Sequence, residues 1–274
     1  MRTRRWSRRK RLMLVTGASG FLGRHLTNTA ASDGWEIYAP SSTALDVRNR
    51  ELVDDEITGW QPNAVVHLAY RKDDRRSIVQ GSANVARAAA AAGARLVHVS
   101  TDVVFGGRAA PYVETDEVAP FGDYGTWKAE AERAVAELAA DSVIVRTSLM
   151  YGTANLAIIQ RDVDEVLSGR SSMRFFTDEW RCPVHAIDVA TAIARIADRH
   201  DVRGVLHVAG PEAVTRADLA RRFATWLGHD PARVPTATIA ESGMPRAGRI
   251  VLDTSRAAAL GLRCRTVDEV LRPS

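Results

Sequence analysis

The feature that most limits the fold is a glycine triplet set between an apolar run and a helical pattern. Residues 12–16 are a short apolar run that leads into Gly17. Gly20 and Gly23 follow at three-residue spacing, and residues 21–33 repeat apolar side chains at Leu22, Leu26 and Ala30. That is strand, turn, helix. In such a crossover Gly17 permits the tight turn, Gly20 lets the backbone come close to a pyrophosphate, and Gly23 lets the helix pack on the strand. The helix N-terminus offers free N–H groups to the anion. The spacing is one residue wider than G-x-G-x-x-G, and a tight turn without ligand is the plainer alternative.

The same alternation continues. Residues 35–39, 64–68, 95–100 and 142–147 read as strands, and 50–60, 78–92 and 122–140 as helices. Strands separated by helices of ten or more residues predict an α/β fold: a Rossmann-type doubly wound parallel sheet. The pattern loosens after about residue 150, where 156–167, 189–197 and 216–227 read as helices and 204–208 as a strand. Pro183, Pro211, Pro231, Pro235 and Pro245 punctuate this half. The expected division is a basic tail over 1–11, a dinucleotide-binding domain over 12–150 with 184–210 returning to it, and a smaller C-terminal substrate lobe from 151–183 and 211–274.

Charge narrows the partners. The chain of 274 residues carries a net charge of +4, but seven of its 37 basic residues stand in the first 11 with no acid among them. The other 30 face 33 acids, so the body is mildly acidic. A basic block of this kind reads first as a solvated, disordered extension; nucleic acid or anionic lipid is its other use. Arg4 and Arg5 resemble the start of an export signal, but no apolar segment with a cleavage site follows. No apolar stretch is long enough to span a bilayer. The two cysteines, Cys182 and Cys264, have no metal spacing and make no disulfide framework. A reduced cytoplasm is expected, with neither nucleic acid nor membrane as partner. His67, His98 and His207 fall inside apolar strands and read as buried neutral side chains; no metal is expected.

An acid about 20 residues past the glycines would hold the ribose hydroxyls of NAD. The second strand instead ends Tyr38-Ala39-Pro40-Ser41-Ser42. Arg24 is placed to meet a 2′-phosphate, with Ser41 and Ser42 as donors, or to be a solvated helix charge. NADP(H) is therefore favoured, with NAD(H) left open. Tyr124 and Lys128 share a helix face at i and i+4, and Lys128 is one of three lysines against 34 arginines. An ammonium one turn away would stabilise a phenolate and bring a tyrosine toward the working pH. Ser100-Thr101-Asp102 ends the fourth strand, at the sheet edge where ligands bind, and a hydroxyl there can hold a carbonyl oxygen.

These residues carry a resemblance. TGASGFLG (16–23), HVSTDVVFGG (98–107), YGTWKAEAE (124–132), VRTSLMYG (145–152) and VLDTSRAAALGL (251–262) resemble the extended short-chain dehydrogenases/reductases, most closely the dTDP-4-dehydrorhamnose reductase group. The resemblance implies an NAD(P)H-dependent reductase of a keto group on a nucleotide-linked deoxysugar. It makes Tyr124 the proton donor, Lys128 its partner and a ribose contact, and Thr101 the residue that polarises the carbonyl. It assigns Ser19, Phe21 and Leu22 in the turn, Asp46 and Val47, Leu68, Ala69, Tyr70 and Arg71, and Ser100 to the cofactor. Asp102, Val103, Leu149 and Arg181 fall to the substrate.

Arg181 opens a segment similar to the R-D-Y-x-H-V-x-D of nucleotide-sugar epimerases, where the arginine meets a diphosphate; a surface ion pair with Asp178 or Glu179 is the other reading. Two positions depart from the group: Val103 stands where a tyrosine is typical, and Leu149 where a tryptophan contacts the sugar. The departures leave open a smaller ketone or aldehyde as substrate. A nucleotide-sugar epimerase with retained NAD and a non-catalytic NADP-binding regulatory subunit are the further alternatives, and a homodimer is compatible with all of them.

Overall fold

The computed structural model describes residues 11–272. Its centre is a sheet built from β1 (Arg11–Thr16), β2 (Trp35–Tyr38), β3 (Ala64–His67), β4 (Arg95–Thr101), β5 (Val143–Thr147) and the strand Gly204–His207. The last of these lies at one edge beside β5, followed by β4, β3, β1 and β2, and every neighbouring pair is parallel. The connecting helices are α1 (Phe21–Ser32), α2 (Arg50–Trp60), α3 (Gly81–Ala91), α4 (Gly122–Leu138), α5 (Ile158–Leu167), α6 (Ala186–Ile196) and α7 (Arg216–Trp226).

Side chains alternate across each strand, so an apolar run feeds both faces at once. Met13, Val15, Val66, Val97 and Val145 pack with Leu26 of α1 and Ile193 of α6 on one face. Leu14, Val65, Leu96 and Ile144 pack with Ile57 of α2, Val85 of α3 and Val135 of α4 on the other. Each buried Val, Leu or Ile contributes about 1.5–3 kcal/mol. The chain passes from β1 outward to β2 and then back to β3 on the other side of β1. That reversal opens a crevice at the carboxyl edge, the switch point where open α/β sheets take ligands.

The second half is held by pairs of two-residue strands. Trp180–Arg181 pairs with Val214–Thr215, Phe175–Phe176 with Thr236–Ala237, and Met150–Tyr151 with Val184–His185. A separate apolar cluster of Tyr151, Val163, Phe175 and Phe223 fills this region.

Several boundaries differ from the sequence expectation. Arg11 is not tail: it opens β1, its guanidinium 4.8 Å from the Trp35 ring and paired with Asp198. The rest of the expected tail, 1–10, lies outside the described residues. The helix expected over 78–92 is entered through a wider turn, Arg76–Gln80, before α3. There a Cβ on Gly81 would meet the Val47 side chain at 2.7 Å. Helix α6 begins at Ala186, three residues early. Among the described residues no helix is long and apolar enough to cross a membrane.

Candidate active site

The glycine turn sits at the mouth of the crevice. Gly17 has φ of +73°, and a Cβ on it would come within 2.7 Å of the Ala69 nitrogen. A Cβ on Gly23 would come within 2.4 Å of the Gly17 oxygen, so the third glycine lets α1 close on the turn itself rather than on the strand. Gly20 is the N-cap of α1 and has no side chain to cap with. The first-turn N–H groups are thereby available to an anion. This cradle fits a dinucleotide pyrophosphate.

A cleft of about 1450 Å³ runs from this turn, past the ends of β3 and β4, to the smaller lobe. Every sequence-predicted site residue lines it except Ser41, whose hydroxyl is engaged with Thr43 and the Ala44 N–H in a local turn. At the adenine end stand Arg24, Ser42, Asp46 and Val47. Arg24 folds back so that its Nε donates to the Ser19 carbonyl at 2.9 Å. Asp46 is engaged by Arg48, 2.8 Å away, which holds its carboxyl below the usual range. Sequence reasoning missed Arg48, which also reaches Asp74 at 3.1 Å. Asn84, buried on α3, donates to the Val47 carbonyl at 3.0 Å and so steadies the loop from behind.

In the middle of the cleft β4 ends on Thr101, whose hydroxyl accepts from the Val103 N–H and caps the short turn Asp102–Val104. Tyr124 and Lys128 come from the first two turns of α4. Burial raises the Tyr124 pKa, with Tyr70 next among the causes; Thr101 acts in the opposite sense. Lys128 is not among the leading influences on the phenol. The Lys128 ammonium donates to the Val99 carbonyl at 2.7 Å and lies 5.5 Å from the Tyr70 ring. Burial pushes Lys128 itself down to about 8. Tyr70 stands 5.8 Å from the Tyr124 ring, and Lys72 is 5.6 Å from that ring on its own account.

Asp102 is buried. Burial raises its pKa, against the pull of Arg181 and of Ser148, whose hydroxyl donates to it at 2.6 Å. Behind the site His67 is bonded to Thr16 at 2.7 Å and lies near Ser82, whereas both ring nitrogens of His98 lack partners.

The far end of the cleft is basic. Arg181 is buried, not on the surface, and pairs with Glu179 at 3.1 Å; its other donors go to the Trp180 and Ala247 carbonyls. Asp178 is used elsewhere, accepting from the Ile239 N–H. Arg246 reaches Glu179 from the other side at 2.7 Å. Arg216, at the start of α7, faces the same cleft and has no side-chain hydrogen bond among the described residues. Burial works against its charge and Glu179 supports it. The three arginines share Glu179, with Asp102 3.9 Å from Arg181 and Asp162 acting on Arg216 as well. Arg216 and Arg246 were not found from the sequence, because no motif or spacing links them to Arg181. Val103 and Leu149 also line this cleft.

A parallel sheet with a glycine cradle, a hydroxyl after β4 and a Tyr-x-x-x-Lys helix define an extended short-chain dehydrogenase/reductase. Within that class the chain belongs to the RmlD substrate-binding-domain family, which matches residues 10–272. It is 32% identical to a dTDP-4-dehydrorhamnose reductase of Mycobacterium tuberculosis, over 93% of this chain and 88% of that one. It is also 29% identical to the methionine adenosyltransferase 2 subunit beta of Pongo abelii, over 93% and 84% of the two chains. The crystal structure of a dTDP-4-dehydrorhamnose reductase from Bacillus anthracis, in complex with NADP, superposes with a TM-score of 0.86 over 97% of each chain. At 24% identity that likeness speaks for the fold.

Proposed function

We propose that this chain is an NADPH-preferring reductase of a keto group on a nucleotide-linked deoxysugar. The observation that carries the reading is the order of groups along one cleft: dinucleotide cradle, then Thr101, Tyr124 and Lys128, then Arg181, Arg216 and Arg246. The reductases among its relatives support it. Gly17, Gly20 and Gly23 with the N-terminus of α1 would hold the pyrophosphate, and Arg24 with Ser42 the 2′-phosphate. NADPH, when bound, supplies a hydride for the carbonyl carbon.

The chain's own residues do the rest. The Thr101 hydroxyl donates to the carbonyl oxygen and orients it. The phenol of Tyr124, which burial keeps protonated at neutral pH, gives its proton to that oxygen. The Lys128 ammonium lies one helical turn away and lowers the cost of the phenolate that results. At the other end the arginines grip the diphosphate. The enzyme is taken to be cytoplasmic, without nucleic acid or membrane, and a homodimer is compatible with it.

Tyr124→Phe tests this. Turnover of a nucleotide-linked 4-ketosugar should fall at least about 100-fold while NADPH still binds; substantial retained activity sinks the assignment. A second reading comes from the relatives named as a subunit of methionine adenosyltransferase: a cofactor-binding regulatory chain. Absence of turnover on every nucleotide sugar, together with tight binding to a partner enzyme, would favour it.

A further inference from the structure

Helix α4 carries a third polar residue in line with Tyr124 and Lys128. Glu132 lies at i+4 from Lys128, on the same helix face, and is 5% exposed. Its carboxylate accepts from the Ser100 hydroxyl on β4 and from Arg146 on β5, whose Nε and Nη2 stand 3.1 and 2.7 Å away. Ser100 and Arg146 are register partners in the sheet. Lys128 in turn donates to the carbonyl of Val99, the residue before Ser100. The reactive face of α4 is thus fastened to β4 twice and to β5 once.

A buried ion pair adds little stability over apolar packing of the same volume. Its place directly behind the Tyr124/Lys128 turn calls for another role. The groups that face Lys128 are Tyr124 on its own helix, the Tyr70 ring, His98 on β4 and His67 on β3. Both histidines are buried and held neutral, partly by the charge of Lys128 itself. Glu132 is the anion that acts on the ammonium, and Arg146 is the cation that fixes Glu132 in place.

We propose that Glu132 is a positioning residue for Lys128: braced by Arg146 and Ser100, it keeps the amine an ammonium and holds its turn of helix against β4. Burial already works against the charge of Lys128. With Glu132 neutral, burial would act on Lys128 unopposed, and the amine would lose its proton near neutral pH. The proposal rests on the reading of Tyr124 and Lys128 as the reductase pair, and its test is chosen to be independent of turnover.

The chain has only three lysines. Lysine labelled with carbon-13 at Cε in the full chain therefore gives three resonances, and Lys128→Met identifies the one that matters. In Glu132→Gln the Lys128 midpoint should fall by about one to two pH units while Lys72 stays in place. Glu132→Asp should recover most of the difference. Arg146→Met removes the brace and should lower the midpoint, a sign that serves as the test if Glu132→Gln does not fold. An unmoved Lys128 midpoint in folded Glu132→Gln, or a rise or no change in Arg146→Met, overturns the proposal. In the reductase assay the alkaline limb of kcat/KM should follow the midpoint. Moved midpoints with no turnover by the wild-type chain would support positioning and sink the reductase reading instead.

Discussion

Gly125 lies against the carbonyl of Val103, so close that a Cβ there would stand 2.3 Å from the oxygen. The contact is with backbone, and no rotamer change relieves it. A glycine inside a helix costs about 1 kcal/mol relative to alanine, yet here it lets the first turn of α4, and Tyr124 with it, approach the end of β4. Gly125→Ala should push Tyr124 away from Thr101. We expect kcat to fall roughly 10- to 100-fold and stability to drop by about 1–3 kcal/mol, with NADPH affinity changed less. Steady-state kinetics and thermal unfolding check both. A wild-type kcat would mean that proton transfer does not depend on this approach.

Cofactor choice should rest on Arg24. It lines the adenine end of the cleft, and its Nε is bonded to the Ser19 carbonyl. A charge-assisted contact to phosphate contributes about 1.5–3 kcal/mol. Arg24→Ala should therefore cut the NADPH-over-NADH ratio of kcat/KM by roughly 10- to 100-fold, mainly by raising KM for NADPH. An unchanged ratio would return Arg24 to the status of a solvated helix charge and shift attention to Arg48.

Arg216 is the least engaged cation of the basic end. Arg181 is tied to Glu179 and two carbonyls, and Arg246 to Glu179. Arg216→Met keeps most of the volume and removes the charge. KM for the nucleotide sugar should rise about 10- to 50-fold, with kcat and the KM for NADPH near wild type. A fall in kcat with unchanged KM would place Arg216 nearer the reacting carbonyl than the diphosphate.

The cradle and the Tyr124/Lys128 turn were legible because each is local: glycine spacing after an apolar run, and an i, i+4 pair on one helix. The sheet was legible for the same reason, each strand being an uninterrupted apolar run between helical patterns. Of the basic end only Arg181 was legible, through its segment's resemblance. Arg181, Arg216 and Arg246 meet through the two-residue pairing of Trp180–Arg181 with Val214–Thr215 and the bridge from Trp180 to Arg249, which leave no periodicity to read. Spacing also said nothing about where the Lys128 ammonium turns. That depends on the Val99 carbonyl and on Glu132, which only the packing of α4 on β4 brings together. Ser41 shows the reverse failure: a hydroxyl at the right place in sequence, already used by its own turn.

Acid should destabilise the fold through its buried histidines. Burial lowers His67 to about 3 and His185 to about 4, and holds His98 well below its ordinary value. The unfolded chain takes up these protons near pH 6.5 while the folded chain refuses them. Between those limits the unfolded state binds more protons, so unfolding free energy falls as pH falls. Each histidine contributes up to about 1.4 kcal/mol per pH unit. Full stability from this source is present above about pH 6.5, and the His67 share is lost progressively down to about 3. His98 offers the clean control, since neither ring nitrogen has a partner to lose. His98→Leu should leave urea unfolding near neutral pH within about 1 kcal/mol of wild type and reduce the slope between pH 6.5 and 4.5 by close to one proton. The same slope in the variant as in the wild type would mean that His98 is protonated in the folded chain, and that the two-histidine cluster behind Lys128 is more polar than its packing indicates.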